Sequence, residues 1–66
     1  MIELQKFNGK KFILNAELIE TIEASPDTTI TLTTGKVFVV RDSVQDVKHL
    51  ILQYKHNITT YKENEQ

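Results

Sequence analysis

Asn15–Gly35 reads NAELIETIEASPDTTITLTTG, and this stretch decides the fold. Asn15-Ala16-Glu17 breaks the alternation that precedes it, because Asn can cap a single turn and tolerates left-handed backbone geometry. A bend or one helical turn is expected there. Leu18 to Ala24 then reads as a strand, with Ile22 and Ala24 on one face and Ile19 and Thr21 on the other. Ser25-Pro26-Asp27 marks a reversal, with proline expected to preset φ at the second turn position. Thr28 to Thr33 alternates cleanly: Ile30 and Leu32 point one way, and Thr29, Thr31 and Thr33 the other. Thr34-Gly35 makes the next turn. Two strands and two reversals in so short a stretch describe a β-meander. The stretch contains no nucleophile paired with a base, so it reads as a surface to be bound rather than a catalytic centre.

The flanking segments extend the pattern in both directions. On the N-terminal side, Ile2 and Leu4 alternate with Glu3 and Gln5 as a half-buried strand. Asn8-Gly9 follows, a hairpin signal that predicts a type I′ turn. Lys10 to Leu14 returns with Phe12 and Leu14 on one face. Phe7 and Ile13 fall on the opposite faces of their strands and could seed a second packing surface. On the C-terminal side, Lys36 to Val40 is apolar on both faces, which predicts a central or doubly covered strand. Ser43 with Asp46 three positions on predicts a helix N-cap. Val44, Val47, Leu50, Ile51, Tyr54 and Ile58 fall within an arc of about 120° and make an amphipathic stripe. The helix is expected over 43–57. Asp42 and Asp46 at its start and Lys48, His49, Lys55 and His56 later on complement the helix dipole.

The expected order is therefore β-β-β-β-β-α: a mainly β domain with one C-terminal helix (α+β), built as an antiparallel five-strand meander or a small open barrel. Residues 1–58 form a single domain and 59–66 a polar tail expected to fray. No internal repeat is evident. A chain of 66 residues buries only about 60% of its unfolded surface, so small folds of this kind need reinforcement. It has no cysteine, which excludes disulfides and leaves self-association as the expected route. A homo-oligomer is the expected state.

Cysteine-free composition, a first segment without a basic leader and apolar core, and no apolar run near the roughly 20 residues of a membrane helix point to a cytoplasmic protein with no transmembrane segment. The net charge is −1 and the pI about 6.0, whereas nucleic-acid binders usually carry a basic surplus.

The remaining candidates for chemistry each have a plainer reading. His49 and His56 lie seven positions apart on the predicted helix, too far to meet at one metal ion, which on a helix favours ligands three or four apart. Ser43 is accounted for as a cap. Glu17, Glu20 and Glu23 recur every three residues, which makes an acidic edge for a partner or simple solvated charge. Lys6, Lys10 and Lys11 interleave with Phe7 and Phe12, a pattern that can stack on single-stranded nucleic acid and equally well serves a core or a dimer seam. No catalytic, cofactor-binding or metal-binding residue is identified. The exposed charges Glu20, Glu23, Asp27 and Lys36 are the candidate partner contacts.

Taken in order, Met1-Ile2, Asn8-Gly9, Asn15, Ile19-Glu20, Ile22-Glu23, Pro26-Asp27-Thr28, Ile30, Leu32 and Gly35 resemble the FlbD/SwrD family of small bacterial flagellar proteins, across roughly residues 1–55. The Pro-Asp-Thr turn with its following strand and Gly is the most specific part. That resemblance implies a non-enzymatic cytoplasmic protein of flagellar and swarming motility, which supports the motor by helping the torque-generating stator units and so has flagellar motor and stator proteins as partners. It implies no cofactor and no active-site residues. The rival reading is a small RNA-binding post-transcriptional regulator of flagellar gene expression, analogous in architecture to dimeric regulators of short strands and a helix; the near-neutral charge weighs against it, and nucleic acid is disfavoured as a partner.

Overall fold

The computed structural model describes the backbone of residues 1–64 and the side-chain environments of residues 1–58. Strands β1 (Ile2–Gln5) and β2 (Lys11–Leu14) form one antiparallel hairpin, and β3 (Ile19–Glu23), β4 (Thr28–Leu32) and β5 (Val37–Val40) form a second sheet in the order β3-β4-β5. A single 3₁₀ turn (Ala16–Leu18) separates the sheets, and helix α1 (Val44–Asn64) closes the chain. The order β-β-β-β-β-α and the α+β class are as expected. The single five-strand meander is not: the strands divide into two antiparallel sheets of two and three strands.

The division originates at Asn15. Its side-chain Oδ1 accepts from the Glu17 N–H at 3.0 Å, and the Leu18 N–H closes the turn on the Asn15 carbonyl at 3.1 Å. Asn15 itself stays extended at φ −76°, ψ 107°, so it works as a cap and not through left-handed backbone. The turn carries the chain away from β2, and β3 pairs only with β4. The sheets meet instead at one corner, through an antiparallel bridge between Lys6 and Val40. There the Arg41 N–H donates to the Gln5 carbonyl at 2.7 Å and the Gln5 N–H donates to Asp42 Oδ1 at 2.8 Å.

The first hairpin turn departs from the expected type I′. The Gly9 N–H donates to the Lys6 carbonyl at 2.9 Å and the Lys6 N–H to the Lys10 carbonyl at 2.9 Å. Only Gly9 has positive φ, at 88°, while Asn8 does not. This is a three-residue loop, a type I turn followed by a left-handed glycine, and type I′ is excluded because it needs positive φ at two residues. Asn8 contributes through its side chain, whose Oδ1 accepts from the Lys10 N–H at 2.9 Å. The second loop repeats the first: Gly35 N–H to Leu32 carbonyl at 2.9 Å, Leu32 N–H to Lys36 carbonyl at 2.8 Å, and Gly35 at φ 92°. The registers match as well. Ile2↔Leu14 and Leu4↔Phe12 in the first hairpin correspond to Thr28↔Val40 and Ile30↔Phe38 in the second, each position shifted by 26 (28 − 2 = 40 − 14). Few residues are identical between them, and so the repeat is a structural one.

Inward-facing residues of the two hairpins, Ala16 of the 3₁₀ turn and one helix residue make the core: Ile2, Leu4, Leu14, Ala16, Ile30, Leu32, Val40 and Val47. Leu4, Ile30, Val40 and Val47 are fully enclosed, each contributing on the order of 1.5–3 kcal/mol of gross burial energy. The alternation in β1, β2 and β4 is as the sequence suggests. In β3 it is not. The pairing shifts between Ile19 and Thr21, and this bulge turns both Ile19 and Ile22 onto the core, where plain alternation would put them on opposite faces. The Ser25–Pro26 peptide in the β3–β4 connection is cis. The fifth strand is not central: β5 is an edge of its sheet, with Val37 and Val39 left 56% and 45% exposed.

Helix α1 begins as expected, the Ser43 hydroxyl accepting from the Asp46 N–H at 3.0 Å. Val47 enters the core, and Leu50, Ile51 and Tyr54 pack against it, so the first part of the stripe lies on the chain's own sheets. The helix runs to Asn64, past the expected end at 57, because neither Gly nor Pro follows to stop it. Glu65 and Gln66, the end of the tail expected to fray, lie outside the described residues, as do the side chains of 59–64.

The two loops yield a matched prediction. A Cβ at Gly9 or Gly35 would meet nothing within 4 Å, so the cost of alanine is that of the left-handed backbone alone, about 1–2 kcal/mol. Gly9→Ala and Gly35→Ala should each lower the unfolding free energy by that amount in urea denaturation, and by nearly equal amounts.

Candidate functional site

The four candidate contact charges are all exposed, and the structure distributes them between two ends of the three-stranded sheet. Glu23 pairs opposite Thr29 at the end of β3, and Asp27 follows in the connection, where its carbonyl accepts from the Thr29 hydroxyl at 3.0 Å. Glu20 lies at the bulge toward the opposite end of β3. Lys36 follows Gly35 in the β4–β5 loop and accepts through its carbonyl from Leu32. Glu23 and Asp27 thus share one end, Glu20 and Lys36 belong to the other, and the four do not converge on one point.

Sequence reasoning left one element out of the candidate site. Val37 and Val39 stand outward on β5, opposite Thr31 and Thr29, and Phe7 adjoins them beyond the Lys6–Val40 bridge. Phe7 is 55% exposed and Ile13, on the outer side of β2, 60% exposed. The signal was present in the doubly apolar β5 and in the opposed Phe7 and Ile13. The edge position of β5 converts it from a buried strand to an accessible apolar row rimmed by threonine.

Beneath that row the inner faces of the two hairpins meet through their equivalent phenylalanines. Phe12 and Phe38 stack with ring centroids 5.2 Å apart and planes inclined by 28°, an offset aromatic geometry. The Lys6 ammonium sits 5.4 Å from the Phe12 ring centroid, within cation–π range. The aromatics interleaved with Lys6, Lys10 and Lys11 are therefore divided in purpose: Phe12 is committed to the join between sheets, and Phe7 alone is open to a partner.

A groove of about 360 Å³ runs between β1 and the start of α1, lined by Glu3, Leu4, Gln5, Lys11, Asp42, Asp46, His49 and Leu50. Two of its carboxylates already have structural work, Asp42 in holding the Gln5 N–H and Asp46 in the first helical turn, where a negative charge favours the dipole. Among the described residues no group of three or more His, Cys, Asp or Glu side chains could hold a metal ion. His49 lines this groove, and His56 lies two turns further along α1. No helix of the described residues is long and apolar enough to cross a membrane.

The molecule is a small α+β domain of two antiparallel sheets and one helix, with an apolar strand edge and scattered charges accessible to solvent. The chain belongs to the FlbD family of flagellar and swarming motility proteins, whose model matches residues 1–59. The match takes in both hairpins, the 3₁₀ turn, all four candidate charges and most of α1. Comparisons with curated proteins and with solved structures give no match.

The aromatic join can be measured. In a double-mutant cycle of Phe12→Leu and Phe38→Leu, read by chemical denaturation, the coupling energy should be about 0.5–1.5 kcal/mol. Additive losses would show that the rings do not support one another.

Proposed function

We propose that this chain is a non-catalytic accessory protein of the flagellar motor, acting in the cytoplasm as a homo-oligomer and supporting swarming through protein contacts that help the stator units generate torque. The observation that carries the reading is membership of the flagellar and swarming motility family across residues 1–59. The surface is in keeping with it. Glu20, Glu23, Asp27 and Lys36 are solvent-facing, and surface charge of this kind steers and selects partners more than it stabilises a fold. The rival reading as an RNA-binding regulator gains no support from the family match, and a net charge of −1 offers little for phosphate.

Deletion of the gene should impair swarming and lower motor torque while filaments still assemble. Chains carrying Asp27→Lys with Lys36→Glu should fold normally and fail to restore full swarming. Normal swarming in the deletion strain, or loss of the filaments themselves, would overturn the motor reading. A salt-dependent gel shift of flagellar transcripts by the purified protein would turn the choice toward RNA.

A further inference from the structure

The pairing pattern exposes two free strand edges of opposite charge. In the first hairpin the Lys6 N–H bonds the Lys10 carbonyl, so the hydrogen-bonded pairs are 6/10, 4/12 and 2/14. Backbone groups alternate in direction along an antiparallel strand, which turns the N–H and C=O of Lys11 and Ile13 away from β1. In the second sheet the Thr33 N–H bonds the Leu18 carbonyl, and after the bulge 31/21 and 29/23 face β4. The backbone of Ile22 therefore points to the open side of β3.

These edges differ in sign. The β2 edge carries Lys10 and Lys11, and the β3 edge carries Glu20 and Glu23, with Glu17 just before it; all are exposed. Unpaired edges normally carry charges that repel a like edge. Here two-fold pairing of β2 with β2 sets lysine against lysine, and β3 with β3 sets glutamate against glutamate. Only unlike edges attract.

We propose that copies of this chain associate head to tail, the β2 edge of one against the β3 edge of the next, with Lys10 and Lys11 of one copy facing Glu20 and Glu23 of its neighbour. The parity of the edges sets the strand direction. Lys11 and Ile13 turn both their side chains to the outer face and their backbone groups to the edge, whereas at the β3 edge the residue with outward backbone, Ile22, faces the core. A continuous outer face then requires parallel pairing, in which a residue with edge-directed backbone lies beside one whose backbone points away. Such an interface is heterologous and either closes into a ring or grows as a filament. It also divides the candidate contacts, giving Glu20 and Glu23 to the neighbouring copy and leaving Asp27 and Lys36 for the motor. The proposal rests on the homo-oligomer part of the reading above and not on the motor part.

The test is sedimentation of the purified full chain across the micromolar range, at low and at physiological salt, for the parent and two charge-reversed variants, Lys10→Glu/Lys11→Glu and Glu20→Lys/Glu23→Lys. Folding of each variant is checked by circular dichroism. The parent should form species larger than monomer that dissociate as salt rises, since exposed charges are screened beyond about 8 Å at physiological ionic strength. Each variant alone should sediment as a monomer, and an equimolar mixture should regain assembly, because each brings an edge opposite in sign to the other's. A parent that stays monomeric, or assembly that survives both reversals, would overturn the proposal. If a variant fails to fold, the salt dependence of the parent decides: an oligomer insensitive to salt is the contrary result. Loss of assembly in the variants with swarming intact would leave this interface standing and remove the oligomer from the functional reading, whereas normal swarming in the deletion strain would remove the motor reading and leave the interface untouched.

Discussion

Everything in this fold depends on the corner at which residues 5–6 meet residues 40–42. The two sheets share one bridge, Lys6 to Val40, reinforced by the Arg41 N–H on the Gln5 carbonyl and the Gln5 N–H on the Asp42 carboxylate. A two-stranded hairpin is marginal by itself in water. The first hairpin acquires its stability by lending Ile2, Leu4 and Leu14 to a core that also contains Ile30, Leu32 and Val40, and the corner orients the two contributions toward each other. It also sets the start of α1, since Asp42 stands immediately before the Ser43 cap and the helix leaves the corner with Val47 directed into the core.

The equivalence of the two hairpins explains why the corner suffices. Both use a three-residue loop closed by a left-handed glycine, and both place a phenylalanine two residues before the last buried position of their second strand. The paired phenylalanines then stack across the join. One local solution, used twice and brought together at a single bridge, produces a core that neither half could enclose alone.

Much of this was legible in the chain. The alternation of Ile2 and Leu4 and of Ile30 and Leu32 reports which faces are buried, because a strand has a period of two whatever its neighbours. Ser43 with Asp46 and the stripe from Val44 to Tyr54 locate the helix and its inner face for equally local reasons. Tertiary pairing was not legible. Nothing in Lys6 or Val40 marks them as partners, and the Asn15 cap reads the same whether β3 returns to β2 or leaves it. The Asn8-Gly9 pair suggests a two-residue turn, yet the second loop, Thr33-Thr34-Gly35, adopts the same geometry without asparagine; glycine at the third loop position is what the backbone needs. The bulge in β3 left no signal beyond an interrupted alternation. For the candidate contacts, the charges were found as exposed residues, but their division between the two ends of the three-stranded sheet follows from the strand pairing, which the sequence does not reveal.

What the structure offers to other molecules is consequently peripheral: free edges, an outer row of Phe7, Val37 and Val39, and charges set at the ends of the three-stranded sheet. The chain belongs to the flagellar and swarming motility family, and the geometry of this surface is only as definite as the corner that holds the sheets in place. Amide hydrogen exchange at Gln5 and Arg41 tests that dependence most directly. Their N–H groups should exchange only with global unfolding, as slowly as the amides of Leu4 and Ile30 in the core. Exchange of Gln5 and Arg41 on a faster scale, while the core amides remain protected, would show the corner opening without loss of the fold and would contradict the account.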